Sequence, residues 1–278
     1  MAHRLVVNRN NNLGDAMCQM RGLYEYKQRT NDTLDFITCH YLHYVAACHT
    51  DIFGRITFGT IDEVNSFAAG AQSNGYDSVI EFTVDWGIAC RDGILRAWVE
   101  NTLHFTPSTD KPYFLLTAEE KIVAKSQYGM IMEKGFRKSI ILNLESVSAY
   151  TRGFRLEDWQ RVIEMIPNDV AIIYPVPISW TWGNPFPPKS NLFVIPGYPI
   201  GYAGALSQLV DTVLVVHSGP LMLAYACDAK NIVQINFNEG GSPALLRIPE
   251  GQGENFYIET NREIPWLALQ DLINRHLA

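Results

Sequence analysis

The chain has 278 residues, 47% of them hydrophobic, and a formal net charge of −7. This length suits one large domain or two of about 130 residues each. The negative charge disfavours a broad electrostatic surface for nucleic acid. We see no charged and apolar leader and no apolar run of about 18 residues, so we expect no transmembrane segment. The expected location is the cytoplasm, with peripheral attachment at a membrane as the alternative.

Cysteine and histidine residues are the first candidates for metal ligands. The five cysteines form an odd, scattered set without a CxxC pair, which predicts reduced thiols. The stretch CHYLHYVAACH contains Cys39, His40, His43, Cys48 and His49, but its spacing matches no structural zinc pattern. We therefore predict a helix that packs its His and Tyr side chains against a sheet, and no metal site.

The first half of the chain alternates apolar runs with helical patterns. Strands are predicted at 4–9, 34–39, 55–59 and 77–82, and helices at 15–28, 41–48, 61–69 and 87–103. Strict alternation of this kind indicates a parallel sheet with helices on both faces. Two prolines and several polar residues at 105–114 then indicate a linker or a domain edge.

The second half repeats the alternation. Helices are predicted at 118–134, 156–166, 200–209, 220–227 and 265–277, and strands at 139–144, 170–175, 192–197, 212–216 and 231–237. The fold class is therefore predicted as α/β, with Rossmann-like domains at 1–110 and 111–278 whose parallel sheets face each other across a cleft.

The stretch RLVVNRNNNLGDAM places a small residue and a carboxylate where the first helix should begin. Gly14 allows a tight turn, and Asp15 falls at the N-cap or in the first helical turn. Capping by aspartate, worth roughly 1 kcal/mol, is one explanation. The other is a functional carboxylate, because open α/β sheets bind ligands at the carboxyl ends of their strands. Asp85 follows the strand at 77–82 in the same way, so it is a second candidate for a functional carboxylate at this edge, with a solvated loop aspartate as the alternative.

Two stretches of the second half could bind phosphate. In VVHSGPLMLAYAC, an apolar strand leads to Ser218 and Gly219, and Pro220 stands at the expected first helical position. A diphosphate could bind the backbone N–H groups there, and a plain strand–turn–helix is the alternative. In LNLESVSAYTRGFRLEDWQRVIEMI, Arg152 follows a strand and offers a planar fork of donors to phosphate oxygens. An isolated surface arginine is the alternative.

These three stretches, in this order, resemble glycosyltransferase family 9, the ADP-heptose:lipopolysaccharide heptosyltransferases of the GT-B fold. The turn that opens the first helix is matched by Leu13, Gly14 and Asp15. The small hydroxyl, basic and tryptophan positions of the second domain are matched by Ser148, Arg152 and Trp159. The final turn is matched by Ser218 and Gly219. Three positions differ from the family: Arg152 replaces lysine, His217 replaces aspartate and Met222 replaces histidine.

The resemblance implies an inverting, metal-independent transfer of a sugar from a nucleotide-diphosphate sugar to an acceptor hydroxyl, on a glycan or another molecule. It implies that Asp15 is the general base and that Gly14 and Asp85 lie on the acceptor side. Asn238 is included because 238–243 follows the last clear predicted strand, where the family contacts the nucleotide base of the donor. The implied donor-binding residues are Ser148, Arg152, His217, Ser218, Gly219 and Asn238.

The differences at His217 and Met222 leave the donor sugar open. No cofactor is implied, because the nucleotide sugar is itself a substrate. Two alternatives remain open at this stage. One is a glycosyltransferase of the same fold that modifies a hydroxylated base in DNA, which the acidic charge balance disfavours. The other is a protein that binds a nucleotide sugar without catalysis.

Overall fold

The structure is a computed structural model that describes residues 1–9, 13–39, 42–143, 156–177, 186–216, 219–238, 253–259 and 263–278. The chain divides into two compact units, Met1–Leu115 and Leu116–Ala278. Each unit contains one parallel sheet with helices, so the predicted α/β class is confirmed. Within the described residues, no helix is long and apolar enough to cross a membrane.

The sheet of the first unit has four strands in the order β3-β2-β1-β4. The central strand β1 pairs in parallel with both β2 and β4, and β2 pairs with β3. Each predicted strand of this half is present. The strands span β1 His3–Asn8, β2 Thr33–Thr38, β3 Phe53–Phe58 and β4 Ser78–Glu81.

Five helices accompany this sheet in the described part of the unit, together with a short 3₁₀ turn at Gln72–Asn74. They are α1 Leu13–Thr30, α2 Leu42–Cys48, α3 Ile61–Ala69, α4 Trp86–Asp92 and α5 Ile94–Leu103. The single helix predicted at 87–103 is therefore wrong, since it is interrupted at Gly93. That residue has a φ of 96°, which is favourable only for glycine.

Successive side chains of β1 point to opposite faces of the sheet, so the core of the first unit has a part on each face. Val6 packs on one face with Met20 and Leu23 of α1, whereas Leu5 and Val7 pack on the other face with α3. Helix α5 also lies directly against α1. A Cβ on Gly22 would lie 2.7 Å from the Val99 Cγ2 atom, so glycine permits this close approach.

The segment after α5 is attached to the first unit along α1. The buried Glu25 carboxylate accepts hydrogen bonds from the Ser108 N–H at 2.9 Å and the Ser108 hydroxyl at 2.7 Å. Further along, the Tyr113 hydroxyl donates to the Asp51 carboxylate at 2.5 Å. The residues predicted as a linker or a domain edge therefore pack on the first unit, which ends at Leu115.

The second unit has a six-stranded parallel sheet in the order β10-β9-β8-β5-β6-β7. Its strands span β5 Lys138–Asn143, β6 Val170–Pro177, β7 Leu192–Tyr198, β8 Thr212–Val216, β9 Ile232–Asn238 and β10 Gly253–Glu259. The edge strand β10 was not predicted. The described helices are α6 Ala118–Met132, α7 Leu156–Met165, α8 Ile200–Ser207, α9 Gly219–Ala226 and α10 Trp266–Leu277.

One core cluster of the second unit lies on the face of the sheet that carries α7 and α10. The predicted apolar side of α7 is confirmed, because Trp159, Val162, Ile163 and Ile166 are all buried there. Helix α10 contributes leucines such as Leu269 to the same cluster. This packing holds the strands in register, so their carboxyl ends form one edge of the sheet.

Candidate functional site

The carboxyl edge of the first sheet carries the predicted base. Helix α1 begins after β1, and Gly14 and Asp15 are the second and third residues of its first turn. Asp15 thus lies where a helix N-terminus favours negative charge. Its position in the first turn after β1 is at the edge of the sheet where α/β folds bind ligands.

Asp15 has a partner that the sequence did not indicate. The indole N–H of Trp98 in α5 donates to the Asp15 Oδ1 atom at 3.4 Å. Trp98 is buried, whereas Asp15 is half-buried. In the sequence, Trp98 is one apolar residue on a helical face, and no local signal connects it with a residue 83 positions away.

An ion pair lies at the same edge. Arg9, directly after β1, pairs with Glu81 at the end of β4, and its Nε also donates to the Asn65 side chain of α3 at 2.7 Å. Strands β1 and β4 are hydrogen-bonded neighbours, so their ends bring these side chains together. The pair places one charge of each sign at this edge of the sheet.

Asp85 is the N-cap of α4. Its Oδ1 atom accepts from the Gly87 N–H at 2.8 Å and from the Ile88 N–H at 3.1 Å. This geometry satisfies two backbone donors of the helix terminus, which is the ordinary role of a capping aspartate. Asp85 is exposed, and its acceptor-binding role stays a prediction.

In the second unit, the predicted donor-binding segments leave the sheet from neighbouring strands. The segment with Ser148 and Arg152 follows β5, and the segment with His217 and Ser218 follows β8, although these four residues lie outside the described ones. Strand β8 pairs with β5 on one side and β9 on the other, in parallel register. The three strand ends are therefore adjacent along one carboxyl edge.

Gly219 and Asn238 lie at that edge. Gly219 is the first residue of α9, and Asn238 is the last residue of β9. The side chain of Asn238 is not described. Met222, at the position where the resembled family has a histidine, is buried in α9 with 6% of its surface exposed. A buried methionine contributes packing at this position and no titratable group.

The stretch that superficially suggested metal ligands contains a buried histidine. His49 is fully buried, and its ring packs against the rings of Tyr113 and Phe114, with centroids 5.2 and 5.5 Å away. Burial lowers the His49 pKa to about 4. Cys39 and Cys48 form no disulfide. His40 lies outside the described residues, and the side chain of His43 in α2 is not described. In the described part of the chain, no group of three or more His, Cys, Asp or Glu side chains could hold a metal ion.

The fold matches those of solved glycosyltransferases. The glycosyl transferase family 9 structure from Veillonella parvula DSM 2008 has a TM-score of 0.67 and 13% identity, over 93% of this chain and 86% of that one. The E. coli ADP-heptose lps heptosyltransferase II has a TM-score of 0.68 and 11% identity, over 100% of this chain and 98% of that one. The resemblance to family 9 is thereby confirmed at the level of the fold.

A third similar structure contains a metal. The iron-containing dodecameric glycosyltransferase TibC from enterotoxigenic E. coli H10407 has a TM-score of 0.56 and 13% identity, over 90% of this chain and 63% of that one. The sequence itself matches no protein-family model and no curated protein. At identities of 11–13%, these comparisons show that the proteins share a fold with the present chain.

Proposed function

We propose that this protein is an inverting, metal-independent glycosyltransferase. It moves a sugar from a nucleotide-diphosphate sugar to an acceptor hydroxyl on a glycan. The observation that carries the proposal is the adjacency of β5, β8 and β9. The chain segments that follow these strands contain the residues that we propose to bind the donor. The fold shared with heptosyltransferases of known structure supports it.

In the proposed reaction, the acceptor oxygen attacks the anomeric carbon from the face opposite the leaving group. The new C–O bond forms as the bond to the diphosphate breaks, so the configuration inverts. The acceptor proton passes to the Asp15 carboxylate, and the electron pair of the broken bond leaves with the diphosphate. The Arg152 guanidinium and the N–H groups at the start of α9 balance the charge that develops on the diphosphate.

The substrate assignments follow the two units. We assign the nucleotide sugar to Leu116–Ala278, with Ser148, Arg152, His217, Ser218, Gly219 and Asn238 as its binding residues. The acceptor is assigned to Met1–Leu115, with Gly14 and Asp85 beside the base. Leaving-group stabilisation by a guanidinium and backbone donors needs no cation, and we therefore expect activity to survive treatment with a chelator.

A thermal-shift panel of nucleotides and nucleotide sugars tests the proposal. A ligand that binds only the folded protein raises its stability by RT ln(1 + [L]/Kd), so a true donor raises the unfolding temperature in a concentration-dependent way. Sugar transfer or donor hydrolysis is then followed by mass spectrometry, with and without a chelator. Absence of any nucleotide-dependent shift would contradict the proposal, and a shift without turnover would identify a non-catalytic binder.

Replacing Arg152 by alanine is expected to weaken binding of a nucleoside diphosphate by tenfold or more. Arg152→Lys should retain much of the affinity, because the charge is kept while the planar fork of donors is lost. Both values are measured by titration calorimetry with the diphosphate found in the panel. Arg161→Ala is the matched control, because this α7 arginine packs on the Trp266 ring. Unchanged affinity in Arg152→Ala would remove this residue from the site.

His217 is expected to set the choice of donor sugar. It follows β8 directly, where the resembled family has an acidic group, and an imidazole can donate as well as accept a hydrogen bond. His217→Asp should therefore change the ratio of kcat/KM values between two competing nucleotide sugars. The idea fails if the variant keeps the wild-type donor preference in a competition assay.

A further inference from the structure

We infer that Trp98 is a positioning residue for the Asp15 carboxylate, and this inference rests on the proposed role of Asp15 as the base. The contact joins two helices: Asp15 lies in the first turn of α1, and Trp98 lies in the middle of α5. The indole nitrogen and the carboxylate oxygen are 3.4 Å apart. This distance is long for a hydrogen bond, as often occurs at catalytic groups before substrate binds.

The chemistry of the two groups gives the contact a direction. An indole N–H is only a donor, and an ionised carboxylate is only an acceptor, so neither can reverse its role. Trp98 is 7% exposed, and a buried N–H without an acceptor would lose its hydrogen bond to water without replacement. The contact therefore favours the rotamer of Asp15 that turns Oδ1 toward α5, and this orients the remaining lone pairs of the carboxylate.

Two contacts fix the position of Trp98. The helices α1 and α5 approach closely at Gly22, where a Cβ would clash with Val99, and this sets the spacing between the helices that carry Asp15 and Trp98. The Phe82 ring meets the indole edge to face, with centroids 6.4 Å apart and planes at 72°. Phe82 directly follows β4, so the orientation of Trp98 depends on the sheet as well as on α5.

The loop that carries Phe82 is itself attached to α5. The Thr83 N–H donates to the Thr102 hydroxyl at 3.0 Å, and the Asn101 amide donates to the Thr83 hydroxyl at 2.8 Å. The loop is thus attached by hydrogen bonds to the helix that carries the indole. A general base acts efficiently only when its oxygen lies within hydrogen-bond reach of the proton it accepts. The contacts around Trp98 fix the indole, and the indole in turn fixes the orientation of the Asp15 carboxylate.

The contact can be tested without any substrate. The protein has six tryptophans, and the indole signal that disappears from the ¹H–¹⁵N spectrum of Trp98→Phe identifies Trp98. That signal should shift in Asp15→Asn and stay in place in Asp62→Asn, which alters a first-turn aspartate of α3 instead. If the chemical shift of the Trp98 indole signal is the same in Asp15→Asn and in the wild type, the inference is overturned. This outcome does not depend on whether the proposed function is correct.

The catalytic consequence is tested by kinetics. Trp98→Phe keeps an aromatic ring but removes the donor, and it should lower kcat about tenfold with little change in the acceptor KM. The same change in an Asp15→Ala background should have no further effect, since the group it positions is then missing. Trp86→Phe is the matched control, because this tryptophan is 61% exposed. If Trp98→Phe lowers kcat by the same factor in the wild-type and Asp15→Ala backgrounds, Trp98 has only a structural role. If Asp15→Asn keeps its activity, the proposed role of Asp15 as the base is refuted instead.

Discussion

Replacement of Asp15 by asparagine is expected to reduce turnover by about 10²-fold or more, while the protein folds and binds its donor normally. Asparagine keeps the size of the side chain and can still accept the Trp98 hydrogen bond, but it cannot take up the acceptor proton. It also serves well at helix N-termini, so α1 should remain stable. The measurement is kcat with saturating donor, together with the unfolding temperature and the donor affinity of the variant.

Asp62→Asn is the matched control for this result. Asp62 occupies the first turn of α3 in the same unit and is exposed, so it shares the helix-terminal position of Asp15 without the Trp98 contact. We expect its turnover to equal that of the wild type. If Asp15→Asn transfers sugar at a near wild-type rate, Asp15 is only a structural residue of the helix terminus, and Asp85 becomes the next base to test.

Acidification from pH 6.5 to pH 4 is expected to destabilise the protein through His49. Burial lowers the pKa of this ring to about 4, and nearby Asp51 offsets only part of that effect. Between these pH values, the histidine binds a proton in the unfolded chain, whose ordinary pKa is about 6.5, but not in the folded protein. The free energy of unfolding therefore falls as the pH decreases, by about 3 kcal/mol over the whole interval.

The variant His49→Phe isolates this contribution. Among the described residues, neither ring nitrogen of His49 has a hydrogen-bond partner, so phenylalanine is compatible with the aromatic surroundings. In urea unfolding, the stability of the variant relative to the wild type should rise steadily from pH 6.5 to pH 4. Phe114→Leu is the control, since it disturbs the same ring cluster without removing a titratable group. Parallel pH dependences of the wild type and His49→Phe would contradict the assignment.

The sequence alone was sufficient for elements whose signals are local. Helix α3 spans Ile61–Ala69 as predicted, because Thr60 and Glu63 form a reciprocal capping box at its start. The buried parallel strands also followed from the sequence, since both of their faces are covered and they read as short apolar runs. The same locality explains why the two-sheet α/β class could be predicted from alternating patterns.

The errors occurred where the local pattern was ambiguous. Helices α4 and α5 together read as one amphipathic stretch, and only the backbone at Gly93 separates them. The edge strand β10 has the sequence GENFYIE, in which only Phe256, Tyr257 and Ile258 are apolar, and it pairs only with β9. The edge strand β7 is apolar and was predicted, so β10 was missed because its apolar run is only three residues long.

The candidate site divides in the same way. The position of Asp15 in a helix-opening turn follows from neighbouring residues, because strand–turn–helix geometry is a local property of the chain. The contacts of Asp15 with Trp98 and of Arg9 with Glu81 depend on residues more than 70 positions apart. Such pairs meet only when the sheet and helices pack, since the register between distant segments is set by burial across the whole unit and not by the residues beside them.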